Sequence, residues 1–151
     1  MSTDVQEIGP VDVAVIGYPP GAPRTGEAVP IFLDLVDRGI IRVLDVVGVE
    51  KREDGTFGTV VAEDVDGDGF PDLVAFAGAK SGLLGDDDVR TAADEIEPGA
   101  AAVLIVYENR WAAPFVAAVR RNGGEVLGFE RVSAADLMDA LERLVAEDAA
   151  V

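Results

Sequence analysis

Four carboxylates and a glycine in one short string carry the clearest chemistry in this sequence. The run D-V-D-G-D-G-F-P-D at residues 64–72 puts Asp64, Asp66, Asp68 and Asp72 at positions one, three, five and nine of a loop, with Gly69 at position six. Hard carboxylate oxygens on alternate residues can curl around one divalent cation, calcium above all, and a glycine permits the sharp turn this requires. Ala75 stands at position twelve, where a bidentate glutamate would complete a tight site. The expectation is weak calcium binding at best, no better than about 10⁻⁴ M. The plainer reading is a solvated turn leading into a helix. No other cofactor is expected.

A second group of residues could recognise an anion. Arg24 and Thr25 lie just before Gly26 and an expected helix start, while Glu108, Asn109 and Trp111 follow the apolar run at 101–107. If the strands feeding these two loops are parallel neighbours, the loops meet at one end of the sheet. Ligands of α/β sheets tend to bind at such carboxyl ends, where helix N-termini direct free N–H groups. Arg24, Thr25, Glu108, Asn109 and Trp111 are therefore expected to form a crevice for a carboxylate or phosphate. The string G-A-P-R-T-G lacks the lysine and spacing of a phosphate-binding P-loop. In the plainer reading Asn109 caps a helix, Trp111 packs on the sheet rim, and the arginines pair with abundant carboxylates.

Catalysis finds little to work with. The chain has no histidine and no cysteine, so a general base near neutral pH must be a raised carboxylate, a lowered lysine or a tyrosine. Its two lysines, Lys51 and Lys80, both sit beside expected turns. No Gly-x-Ser-x-Gly elbow and no G-x-G-x-x-G string occurs. The expectation is that the protein is not an enzyme.

The composition narrows the partners. Twenty-nine acidic residues against twelve basic ones give a net charge of −17 over 151 residues. Such a field repels nucleic-acid phosphates and anionic membrane surfaces, and no basic stripe interrupts it. Arginine outnumbers lysine ten to two, a usage typical of GC-rich coding. The eleven-residue stretch 13–23, the longest charge-free run that could suggest a span, is broken by glycine and proline. A spanning helix needs roughly 20 apolar residues. No charged region precedes an apolar one at the start, so neither a signal peptide nor a membrane anchor is expected, and the cytoplasm is the expected compartment.

The elements that must position these residues follow from periodicity. The β-branched run at 11–17 reads as a buried strand, ended by Tyr18-Pro19-Pro20-Gly21. A helix is expected over 27–38, with Val29, Phe32, Leu33 and Val36 on one face and Gly39 at its C-cap. Strands at 41–50 and 56–62 join through an Asp-Gly hairpin signal. A short helix over 70–79 is favoured over a strand. Then come a helix at 86–96, a buried strand at 101–107, a helix at 112–121 and a fifth strand at 125–132. Ser133 caps a last amphipathic helix with Leu137, Met138, Leu141, Leu144 and Val145 on one side.

The order β-α-β-β-α-α-β-α-β-α contains an echo. The strand, helix, glycine and strand of 13–44 match those of 103–127, with V-D-R-G-I-I-R-V-L against V-R-R-N-G-G-E-V-L. Two βαβ units side by side imply an α+β, ferredoxin-like sandwich. Residues 10–147 are expected to form one domain, between flexible ends at 1–9 and 148–151. The strand at 125–132 is apolar on both faces at Val126, Leu127 and Phe129, and one helix can cover only one of them. A homodimer would bury the rest, so the chain itself is the expected partner, with another protein as the alternative.

Two resemblances add to this. The string at 64–72 resembles the loops of EF-hands and of FG-GAP propeller repeats, but it occurs once, whereas a propeller needs several blades. Over nearly its whole length the chain resembles an uncharacterised family of small bacterial proteins from GC-rich genomes. The residues behind this are G-P-V-D at 9–12, R-V-L-D at 42–45, S-G-L-L at 81–84, D-D-D-V at 86–89 and Y-E-N-R-W-A-A-P-F at 107–115. The resemblance implies a shared α+β fold and no established activity. It supplies no catalytic residue. The leading expectation is a non-enzymatic homo-oligomeric or partner-binding module, with stress among its conceivable settings. The alternatives are a calcium-responsive binding protein, and an enzyme or small-anion binder using the Arg24/Trp111 crevice.

Overall fold

Strand β1 (Val11–Tyr18) stops where Pro19 and Pro20 remove two backbone donors, and a turn closed by Ala22 N–H on the Pro19 carbonyl follows at 3.0 Å. A computed structural model describes residues 8–60 and 81–149 of the chain. Helix α1 (Ala28–Asp37) takes Pro30 in its first turn and ends on Gly39, whose φ of 71° a side chain would resist. Its Val29, Phe32 and Leu33 pack on Val46, Val103 and Ile105 of the sheet, with Tyr18, Val43 and Tyr107 at the margin. Phe32 meets Tyr107 edge to face, with ring centroids 5.9 Å apart.

Strands β2 (Arg42–Lys51) and β3 (Phe57–Val60) form the expected hairpin. The Asp54 carboxylate accepts the Thr56 N–H at 2.9 Å and its hydroxyl at 2.6 Å, and Gly55 supplies the left-handed residue at φ 88°. Helix α2 (Asp86–Glu95) begins with three acidic residues at its positive end, and Asp88 accepts the Gly85 N–H at 2.9 Å. Lys51 closes the other end, donating to the carbonyls of Ala93 at 2.9 Å and Ile96 at 3.0 Å. Val89, Ala92 and Ala93 of α2 pack on Val49, Ala102 and Leu104 of the sheet. Each fully buried valine or leucine there contributes roughly 1.5–3 kcal/mol.

Strand β4 (Ala101–Glu108) is the most deeply buried element, as its unbroken apolar run predicts. The sheet order is β1-β4-β2-β3, and every pairing is antiparallel. The fold is therefore α+β. Strands β1 and β2 run parallel to each other with β4 inserted between them, so β1–α1–β2 is a split βαβ unit. A 3-10 turn (Arg110–Ala112) leads into α3 (Ala113–Arg121), which buries Val116, and α4 (Ala134–Ala149) ends the described chain with no residue buried.

Two expectations are corrected. The strands at 11–17 and 101–107 are neighbours, as expected, but antiparallel: Val11 pairs with Glu108 and Tyr18 with Ala101. Antiparallel neighbours send their outgoing loops to opposite ends of a sheet. The fifth strand is also absent, since residues 125–132 carry no regular secondary structure. Apolar residues on both faces mark a segment fit for a sheet, but a strand exists only where a ladder receives it. The expected helix at 70–79 and the loop with Asp64, Asp66, Asp68 and Asp72 lie outside the described residues.

Candidate functional site

Where β4 ends and β1 begins, several charged side chains converge on the backbone. Glu108 is 4% exposed and accepts the Gly9 N–H at 2.8 Å on one oxygen and Arg42 Nε at 3.0 Å on the other. A buried carboxylate must be paired in this way. Asn109 follows. Its backbone N–H donates to the Pro10 carbonyl at 2.8 Å, and its Nδ2 donates to the same carbonyl at 3.1 Å and to Asp12 at 2.9 Å. Its Oδ1 accepts the Trp111 indole N–H at 3.2 Å, and the Trp111 backbone N–H reaches the Ile40 carbonyl at 3.1 Å. Gly9 packs so close to the Asn109 carbonyl that a Cβ would overlap it.

Arg131 completes the group from the far side, donating to Asp12 at 2.9 Å and to the Tyr107 hydroxyl at 2.7 Å. Tyr107 first and Asp12 second push the Arg131 pKa further up, so its charge is permanent. These bonds tie residues 125–132 to the side of the sheet that packs on α1, because Asp12 and Tyr107 share a face there.

The expected crevice is not assembled. Glu108, Asn109 and Trp111 are together, but Arg24 and Thr25 stand at the other end of β1. An eight-residue strand at about 3.3 Å per residue separates them by over 20 Å. Arg24 donates to the Gly99 carbonyl at 3.3 Å, and the Thr25 hydroxyl accepts the Glu27 N–H at 3.3 Å. Sequence reasoning missed Gly9, Asp12, Arg42 and Arg131. A glycine before a proline, in G-P-V-D, was the only local sign of a tight backbone approach. Lys51, a conceivable base, is engaged by carbonyls instead. Among the described residues no group of three acidic side chains could hold a metal ion, and the four aspartates of the loop are not among those residues.

Among the described residues, two of the recesses adjoin this sheet. On the α2 side, Val11, Val13 and Val15 face an open, mainly apolar groove of about 410 Å³, floored by Leu104 and Val106 and walled by Leu83, Leu84 and Ala92, with Asp88, Thr91 and Glu95 of α2 along its edge. Those three valines remain 46%, 57% and 56% exposed. At the end of the sheet, Glu108, Arg110, Ala113, Pro114, Ala117 and Arg121 line a recess of about 350 Å³.

The antiparallel sheet and its covering helices place the chain among small mixed α+β domains. No helix among the described residues is long and apolar enough to cross a membrane. The family DUF6325, a family of unknown function, matches residues 7–150, and the chain belongs to it. No curated protein and no solved structure matches the chain.

Proposed function

We propose that this chain is a non-enzymatic module that acts as a closed pair with a second copy of itself, each copy's α4 lying in the β1/α2 groove of the other. One observation carries the reading: α4 presents Leu137, Met138, Leu141, Leu144 and Val145 with none buried, while the valines of β1 line an empty apolar groove. Sixteen helical residues and eight strand residues both measure roughly 25 Å, so helix and groove match in length.

The geometry of the tether favours a second copy over the chain's own α4. Arg131 is bonded on the α1 side of the sheet, and only Val132 and Ser133 separate it from α4, whereas the groove opens on the α2 side. Area supports it too. Eight half-exposed apolar residues at roughly 80 Å² each supply about 600 Å² per copy, close to the ~800 Å² of a standard interface. The β1 wall adds little charge, for β1 carries Asp12 alone, and that residue is bridged by Arg131, while Asp88 and Glu95 stand on the α2 wall. In this reading β1, β4 and β2 keep the adjacency of a ferredoxin-like sheet.

Light scattering at tens of micromolar protein in physiological salt tests the pair, with twice the 15.8 kDa chain mass expected and the single mass sinking the proposal. The chain lacks cysteine, so engineered thiols report cleanly. Mixing Val13→Cys protein with Leu141→Cys protein under oxidation is expected to give a covalent heterodimer. A double variant that closes only within one chain would assign the groove to the chain's own α4.

A further inference from the structure

The recess at the end of the sheet rests on different observations from the pairing surface. It has Glu108 as its floor, Arg110 from the 3-10 turn on one side, and the Ala113, Pro114, Ala117 and Arg121 face of α3 on the other. In a chain of charge −17, three of the other arginines are met by carboxylates: Arg38 by Asp34, Arg42 by Glu108 and Arg131 by Asp12. Arg110 and Arg121 have no such partner among the described residues. The one carboxylate of the recess, Glu108, is already neutralised by Arg42 at 3.0 Å. Two uncompensated guanidinium groups thus share one concavity in an otherwise acidic molecule.

We propose that this recess binds a small molecule through an oxyanion group, a phosphate or a carboxylate, held by Arg110 and Arg121. Guanidinium groups present planar pairs of donors that match such oxygens, and a concave wall raises the local field. The size is that of a small-metabolite site. Ala113, Pro114 and Ala117 give it an apolar flank suited to a short carbon skeleton. Each Glu108 oxygen makes one protein hydrogen bond and keeps a second acceptor position, which suits a hydroxyl or ammonium on the same ligand. The surrounding negative field excludes anions that offer only charge, so recognition requires both arginines together.

Trp111, the single tryptophan, adjoins Arg110 and reports occupancy by its fluorescence. Titration with inorganic phosphate and, separately, with acetate, at ionic strength held constant with sodium chloride, is expected to give saturable binding. Tighter binding of phosphate assigns a phosphoryl ligand, and tighter binding of acetate a carboxylate one. Arg110→Ala and Arg121→Ala are each expected to weaken binding at least tenfold, while Arg90→Ala, which removes the same charge from α2, leaves it within twofold. Amide shifts confined to Ala113, Ala117 and Arg121 on addition of the anion check the same site in the unaltered protein. Absence of saturation by either anion would overturn the proposal, as would equal weakening by Arg90→Ala. Loss of pairing without loss of anion binding in the Arg110 and Arg121 variants would assign the arginines to a protein contact instead.

Discussion

Gly9 illustrates how a single residue can be required for its lack of a side chain. A Cβ there would meet the Asn109 carbonyl, and the same backbone donates to Glu108 and, one residue on, accepts from Asn109. Gly9→Ala is expected to destabilise the protein by about 1–3 kcal/mol through overpacking. At roughly 2–4 °C per kcal/mol for a chain of this size, a thermal melt unchanged by the substitution would refute the close approach. Asp54 gives a pH test. Its side-chain bond to Thr56, followed by the bond from the Thr56 backbone, holds its carboxyl below the ordinary 3.8. A lowered folded pKa gives stabilisation that is complete above the ordinary carboxylate value and lost as pH falls through the folded one. The Thr56 amide is therefore expected to titrate with a midpoint below 3.8, and a midpoint at or above that value would be the contrary result. At this scale the sequence showed which residues were unusual but not their partners. Glu108 and Asn109 stood out as polar residues after a buried strand, yet Gly9 and Pro10, nearly a hundred positions away, are what they grip.

Elements were more legible than partners because their signals are local. The β-branched runs, the glycine at 39 and the acidic start of α2 mark ends that the structure reproduces within a residue or so. Residues 125–132 were not legible, since being apolar on both faces identifies a segment that could join a sheet, not one that has joined. Strand direction was equally hidden: the echo between 13–44 and 103–127 describes two units, and says nothing of the axis relating them. Lys51 shows how tertiary structure reassigns a residue. Read along the chain it is a lysine beside a turn, but its ammonium caps the last carbonyls of α2, 42 residues away. Replacing it by methionine keeps most of the stem and removes the donors. Lys51→Met should therefore cost about 1–2 kcal/mol in denaturant unfolding, with faster amide exchange at the α2 C-terminus, and an unchanged midpoint would show the cap to be idle. On α4, Leu141→Asp should leave the melt of the body unchanged and shift the pair toward single chains. Lost folding with pairing retained would mean that α4 packs within its own copy.

The whole molecule is governed by its charge, which acts in opposite senses on the two proposed surfaces. Two copies each bearing −17 repel across any contact, and the apolar gain from the groove and α4 must exceed that repulsion. The repulsion reaches about 30 Å in 0.01 M salt but only about 8 Å at physiological ionic strength, while apolar burial is scarcely altered over that range. Pairing is therefore expected to tighten as sodium chloride is raised from roughly 0.01 M to 0.15 M. Sedimentation equilibrium would register this as a dissociation constant at least tenfold lower at the higher salt. Binding of an oxyanion by Arg110 and Arg121 depends on local attraction, and chloride competes for the same guanidinium donors. It should weaken over the same interval. A pairing constant that instead worsens with salt would mean that opposite charges, not the valines of β1 and the leucines of α4, hold the copies together. The groove would then have to be filled by something other than a second copy.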